Sequence, residues 1–136
     1  MEPPIVATAA RCIRLPQLAT DIKHLKKRFR SVEIDLISAE RLLEAGEILP
    51  QTTPYPGFGG NHKIFKTRII NIDSAKGKSS GYRLIYEEIK AENSEAGNSM
   101  VVLLMLLYNK SMYEEENKVR IEVWARLGSP EYNQQA

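Results

Sequence analysis

The residues best suited to chemistry are permanent cations at alternating positions. Lys66 and Arg68 stand two apart in Ile64-Phe-Lys-Thr-Arg-Ile69, so an extended chain turns both to one face. Arg83 falls in the next alternating stretch, and Lys78 in the turn between the two. A guanidinium can clamp a phosphate bidentately. A lysine supplies a point charge or, where neighbouring cations depress its pKa, a proton acceptor. The same alternation also suits exposed strand charge that discourages edge pairing. Tyr108 and Tyr113 flank Lys110 at the end of a long apolar stretch, where they offer hydroxyl donors or base-stacking surfaces, whereas Tyr82 and Tyr86 are expected in the core.

Other chemistries find less support. Cys12, His24 and His62 fall in different predicted elements with no short ligand pair such as CxxC or HExxH, so no metal site is expected. Nor is any cofactor. A Ser-His-Asp or Cys-His nucleophile has no signature, and Cys12 reads as a small buried hydrophobe. The GKS within Lys76-Gly-Lys-Ser-Ser-Gly81 lacks the GxxxxGK[ST] spacing and precedes a strand rather than a helix, which argues against a nucleoside-triphosphate loop.

The elements that must position the cations are legible from periodicity. Arg11-Cys-Ile-Arg-Leu15 alternates as a short strand, and Pro16 suits the first turn of a helix carrying Leu18, Ile22, Leu25 and Phe29 on one face. Its polar side bears Lys23, Lys26 and Lys27 with Arg30, either a solvated face or a surface for nucleic acid or an acidic partner. Ser31 is the expected cap of a second helix with Val32, Leu36, Ala39 and Leu43 inward, stopped at Gly46. The proline- and glycine-rich segment Pro50 to Asn61 predicts a loop. Strands are expected from Ile64 to Asn71 and from Tyr82 to Glu87, paired as a hairpin. Val101 to Leu107, without alternation, predicts a central strand buried on both faces. Glu114 to Leu127 predicts a third helix, with Ile121 to Trp124 as a competing strand. The fold class is thus α+β: a short N-terminal strand, a two-helix hairpin, antiparallel strands and a possible C-terminal helix.

With 136 residues, one domain over 11–127 is expected, between a flexible N-terminus (1–10) and a flexible tail (128–136). The single cysteine excludes an internal disulfide framework and fits a reducing cytoplasm. The longest apolar run, Met100 to Leu107, is far short of the ~20 residues of a membrane span, and no secretory leader is expected. The net charge of +2 conceals a division. Residues 1 to 83 hold 14 basic and 8 acidic side chains, whereas residues 84 to 136 hold 5 basic and 9 acidic. A basic surface for a polyanion follows from that asymmetry.

At Phe65-Lys-Thr-Arg68, Lys76-Gly-Lys-Ser-Ser-Gly-Tyr-Arg-Leu-Ile-Tyr86 and Tyr108-Asn-Lys110 the chain resembles the RelE/HigB-like toxins of bacterial type II toxin–antitoxin systems, within the RelE/ParE superfamily. Upstream, Ile13-Arg-Leu-Pro16 and Asp21 to Ser31 resemble the first strand and lysine-rich first helix of such proteins, so the likeness extends from Arg11 to Tyr113. It implies a RelE-like fold and a metal-independent, ribosome-dependent mRNA endonuclease, or mRNA interferase. Such an enzyme inhibits translation by positioning an mRNA phosphate for attack by the neighbouring 2′-hydroxyl. The implied partners are a cognate antitoxin, the ribosome and mRNA. By the resemblance, Lys66 serves proton transfer or transition-state stabilisation, and Arg68 and Arg83 orient and neutralise the phosphate. Lys23, Lys26, Lys27, Lys78 and Lys110 contact RNA.

The chain departs from the nuclease pattern after Lys110, where Ser111-Met112-Tyr113 places no arginine beside the lysine. Tyr113 is the candidate to replace part of that chemistry. Glu114-Glu-Glu116 would repel RNA if it faced the groove. Two alternatives stay open: an RNA- or ribosome-binding module without cleavage, and a ParE-like inhibitor of DNA gyrase.

Overall fold

The computed structural model describes residues 9–71, 81–90, 99–113 and 115–135. In chain order these form β1 (Ala9–Arg14), α1 (Leu18–Lys26), α2 (Val32–Glu44), β2 (Thr53–Pro54), β3 (Ile64–Ile69), β4 (Tyr82–Lys90), β5 (Ser99–Asn109), a 3-10 turn (Lys110–Met112), α3 (Glu116–Leu127) and α4 (Pro130–Gln135). The class is α+β. The sheet, however, is mixed, with strand order β1-β5-β4-β3-β2. β3, β4 and β5 pair antiparallel as expected, while β1 lies parallel to β5, the chain returning to β1's neighbour only after the two helices and three strands between. Local alternation carries no signal of that distant pairing.

Each face of the sheet has its own core. Leu18, Leu25, Val32, Leu36 and Leu43 of the first two helices pack on Phe65, Tyr82, Leu84, Val102 and Leu104. On the other face, Val119, Val123 and Leu127 of α3 and Tyr132 of α4 join Tyr55 and Phe58 against Ile64, Ile85, Leu103 and Leu106. The segment 128–136, expected as a flexible tail, therefore carries a helix. Tyr132 docks it, donating to Glu87 Oε1 at 2.7 Å, while His62 Nδ1 lies 2.7 Å from Glu87 Oε2. The third helix forms where expected, and Ile121 to Trp124 belong to it rather than to the sheet.

Two helix ends refine the reading. Gly46 adopts φ 83°, with Glu47 N–H donating to Leu42 O at 2.9 Å and Gly46 N–H to Leu43 O at 3.0 Å. These two bonds make a Schellman stop, which needs a residue at ease with positive φ. Ser31 stands at the N-cap of α2 but makes no capping bond. Its hydroxyl lies 2.9 Å from Asp35 Oδ2, where Tyr82 also donates at 3.0 Å.

One irregularity in β5 positions the site. Ile85 pairs with Leu106 and Tyr86 with Leu104, so Met105 is an extra residue. This bulge puts Met105 and Leu106 in the same core layer and resets the alternation beyond it. Tyr108 consequently joins the α3 side of the sheet, the side to which alternation turns Arg83. Around the bulge, β1 has ended: Leu15 N–H donates to Leu104 O at 3.0 Å, and the outer edge of β5 is then covered by side chains. Asp21 Oδ2 accepts from Leu107 N–H at 3.0 Å, and Arg126 Nη1 donates to Met105 O at 2.9 Å. Asp21 and Arg126 meet each other in a bidentate pair at 2.6 and 2.8 Å, joining α1 to α3 around the edge. Burial is the largest single influence and opposes the charge on Arg126, but the hydrogen bonds it donates to Asp21 and Glu122, together with their charges, outweigh it and hold the guanidinium above its usual pKa.

Candidate functional site

The strand registers assemble a row across three strands: Arg68 is opposite Arg83, and Arg83 opposite Tyr108. Lys66 lies one pleat away on the same face as Arg68, so Lys66, Arg68 and Arg83 share the α3 side of the sheet. Like charges directly opposite on paired strands are destabilising. Arg83 adds to that cost, because its Nη1 is buried with no hydrogen-bond partner among the described residues. A buried guanidinium nitrogen left open beside a second cation is a poor structural device and a good anion receptor.

Tyr108 and Tyr113 close one side of the row, edge-on with ring centroids 5.4 Å apart. Burial, then the charge on Glu116, pushes the Tyr108 phenol up to about 12, against the opposing pull of Arg83. Burial also raises Tyr113. Both phenols therefore remain protonated near neutrality and can donate a proton but not accept one. Tyr108 favours the folded state while it stays neutral. Its stabilisation is complete below the ordinary phenol pKa of 10.0 and is lost as pH rises towards about 12. Urea midpoints measured from pH 9 upward should fall through that window and fall less steeply in Tyr108→Phe; identical slopes would refute the assignment.

Lys66 has company that the sequence did not announce. Its Nζ lies 3.8 Å from Glu116 Oε1 and 5.4 Å from the ring centre of Tyr55, whose hydroxyl donates to the same carboxylate oxygen at 2.7 Å. Glu116, the start of α3, thus faces the basic strand, as the acidic run after Tyr113 threatened. Converting it to glutamine should raise the affinity of this face for a phosphate-bearing polyanion about two- to fivefold, the scale of one exposed ion pair. An unchanged salt titration would show that the carboxylate does not compete with phosphate.

The remaining candidates are scattered. Lys23, Lys26 and Lys27 are exposed on α1, whose core layer lies across the sheet from the row. Lys110 is exposed in the 3-10 turn next to Tyr113; there Arg28 donates to Ser111 Oγ at 3.1 Å, so only the C-terminal end of the basic helix approaches this rim. Lys78 lies outside the described residues. Cys12 is half-buried with its thiol pushed up to about 12, first by burial and then by Glu44 and Glu40, which suits an inert residue. Among the described residues, no group of three or more His, Cys, Asp or Glu is placed to hold a metal ion, and no helix is long and apolar enough to cross a membrane.

Gly81 lets the row close. A Cβ there would lie 2.7 Å from the backbone oxygen of Ile69 and 3.4 Å from Arg68 Nε, and the Gly81 carbonyl accepts from Asn109 Nδ2 at 3.0 Å. Gly81→Ala should force β3 and β4 apart beside Arg68 and Arg83 and cost about 1–3 kcal/mol. Unaltered thermal stability in that variant would refute the close approach. Sequence reading missed Tyr55 and Arg120 at this site and saw Glu116 only as a repulsive charge. The spacing of Glu116, Arg120 and Trp124, each four apart, was the available signal that they share one helical stripe.

No protein-family model, curated protein or solved structure matches the chain. Function must therefore be argued from the residues themselves.

Proposed function

We propose that the protein is a toxin of the RelE/HigB type that cleaves mRNA on the ribosome, with the α3 side of the sheet as its phosphodiester site. The observation that carries this reading is the buried Nη1 of Arg83, without a partner among the described residues, in the row Arg68–Arg83–Tyr108. The order of a strand, two helices and then the antiparallel strands β2 to β5, followed by α3 and α4, is compatible with it.

In the proposed reaction, the 2′-oxygen attacks the adjacent phosphorus as the bond to the 5′-oxygen breaks, leaving a cyclic phosphate and a 5′-hydroxyl. Arg68 and Arg83 hold the non-bridging oxygens as charge develops. Lys66 stabilises the transition state or relays the proton released by the 2′-hydroxyl. Tyr113, whose ring meets Tyr108 edge-on, is assigned the donation to the departing oxygen in this scheme. All the positive charge comes from side chains. Lys110 and the exposed lysines Lys23, Lys26 and Lys27 supply longer-range attraction to RNA, and an antitoxin would neutralise the protein by covering the row. The site of action is the cytoplasm, where the ribosomes are.

Induced expression with mapping of transcript ends, repeated on purified ribosomes, tests the proposal. In-frame cuts and translation arrest are expected. Ribosome association without cuts would favour the second reading, a binding module, which the Glu116–Lys66 contact at 3.8 Å supports because it occupies the amine. Supercoiling defects with intact transcripts would move the assignment to gyrase.

A further inference from the structure

Trp124 is the protein's single tryptophan, and its residue is 53% exposed on α3, three positions after Ile121 at 66%. An exposed indole is uneconomical unless something stacks on it. Its ring lies 5.2 Å from Phe58, Phe58 lies 5.5 Å from Tyr55, and Tyr55 lies 5.4 Å from Lys66 Nζ. A continuous aromatic ladder therefore runs from the basic strand to the outer surface of α3. Arg120 reinforces it, with its guanidinium 4.4 Å above Tyr55 and 5.6 Å from Phe58, fixed by a bond from Nη1 to Pro56 O.

We infer that Trp124, backed by Phe58 and flanked by Arg120, is a stacking subsite for an unpaired nucleobase of the RNA strand whose phosphate lies at Arg68 and Arg83. The inference rests on the phosphodiester reading and adds a second point of contact to it. Single-stranded RNA is recognised by aromatic and guanidinium planes beside a cationic track, and the two occur here in one contact chain. Two cations against the inner rungs of the ladder, Lys66 at Tyr55 and Arg120 at Tyr55 and Phe58, favour a polyanion over an apolar helix as the occupant. Glu116, the carboxylate on this stripe, is already engaged by Lys66 and the Tyr55 hydroxyl. Every nucleobase presents a π-face, so the subsite holds the strand in place without choosing its sequence.

Trp124 emission reports the event directly. Full-length protein would be titrated with a short oligoadenylate and with an abasic oligomer of equal length. Oligoadenylate should quench the emission, while the abasic oligomer binds more weakly and leaves it unchanged. With labelled oligomers, Trp124→Leu should weaken oligoadenylate binding roughly 5- to 100-fold and leave abasic binding alone, and Trp124→Phe should remain near the parent. Salt-sensitive oligoadenylate binding that Arg83→Ala abolishes, with no quenching and a normal Trp124→Leu affinity, would overturn the subsite and leave the phosphate site standing. That is also the pattern expected if Trp124 serves a protein partner. Equal weakening for both oligomers would assign Trp124 a structural role and overturn the inference. Binding of neither oligomer would overturn it too, while the phosphodiester reading is judged separately by transcript cuts.

Discussion

Replacing Arg126 by alanine is expected to remove about 3–5 kcal/mol of stability, the usual cost of stripping one partner from a buried ion pair. The residue is 6% exposed and Asp21 is 4% exposed. The truncation leaves a buried carboxylate and frees Met105 O at the strand edge at the same time. Against a total stability of roughly 5–15 kcal/mol, this is enough to unfold a marginal domain. Arg126→Lys should recover little, because an ammonium cannot reproduce the fork that meets both Asp21 oxygens at 2.6 and 2.8 Å. Asp21→Ala should cost a similar amount, and the double variant much less than the sum, since both single changes break one unit. Urea unfolding of the four proteins decides the matter. A loss below ~1 kcal/mol for Arg126→Ala, or strict additivity, would show that the edge of β5 is satisfied in another way.

Arg83→Ala should separate activity from stability in the opposite direction. Under the proposed function, transcript cleavage is expected to fall about 10²- to 10³-fold, the effect of removing one preorganised donor from a developing oxyanion. The folded state should lose nothing and gain up to ~1 kcal/mol, because a buried donor with no partner among the described residues, opposite Arg68, is removed. A residue kept for packing gives the reverse pattern: lower melting temperature with activity per folded molecule intact. Arg83→Lys should retain part of the charge stabilisation and lose the bidentate geometry. Full cleavage by folded Arg83→Ala would remove the residue from the mechanism.

The sequence carried the parts of this structure that depend on short-range pattern. Lys66, Arg68 and Arg83 share a face because the alternation of β3 and β4 is regular, and the stop at Gly46 follows from a glycine after an apolar helical face. What escaped depends on distant partners. β1 lies beside β5 through pairs such as Cys12 with Val102, and nothing local announces that neighbour or its direction. α4 forms where Tyr132 finds Glu87, 45 residues away. The apolar run of β5 hides its bulge, because every position from Val101 to Leu107 is hydrophobic and a change of face leaves no trace in polarity. Glu116 was visible as a possible repulsive charge, but its partners, Tyr55 and Lys66, come from a loop and a strand well upstream.

The bulge at Met105 acts as a parity bit for the molecule. With Met105 paired instead of extruded, the remainder of β5 would be read one step out of phase, and Leu107 rather than Tyr108 would confront Arg83. The extrusion is fenced by two residues from the beginning of the chain, Leu15 at Leu104 O and Asp21 at Leu107 N–H. The first strand and helix, which contribute no side chain to the row, thereby proofread its assembly. Variants at Leu15 or Asp21 would be read out at Tyr108, in the core layer that Leu15 itself shares.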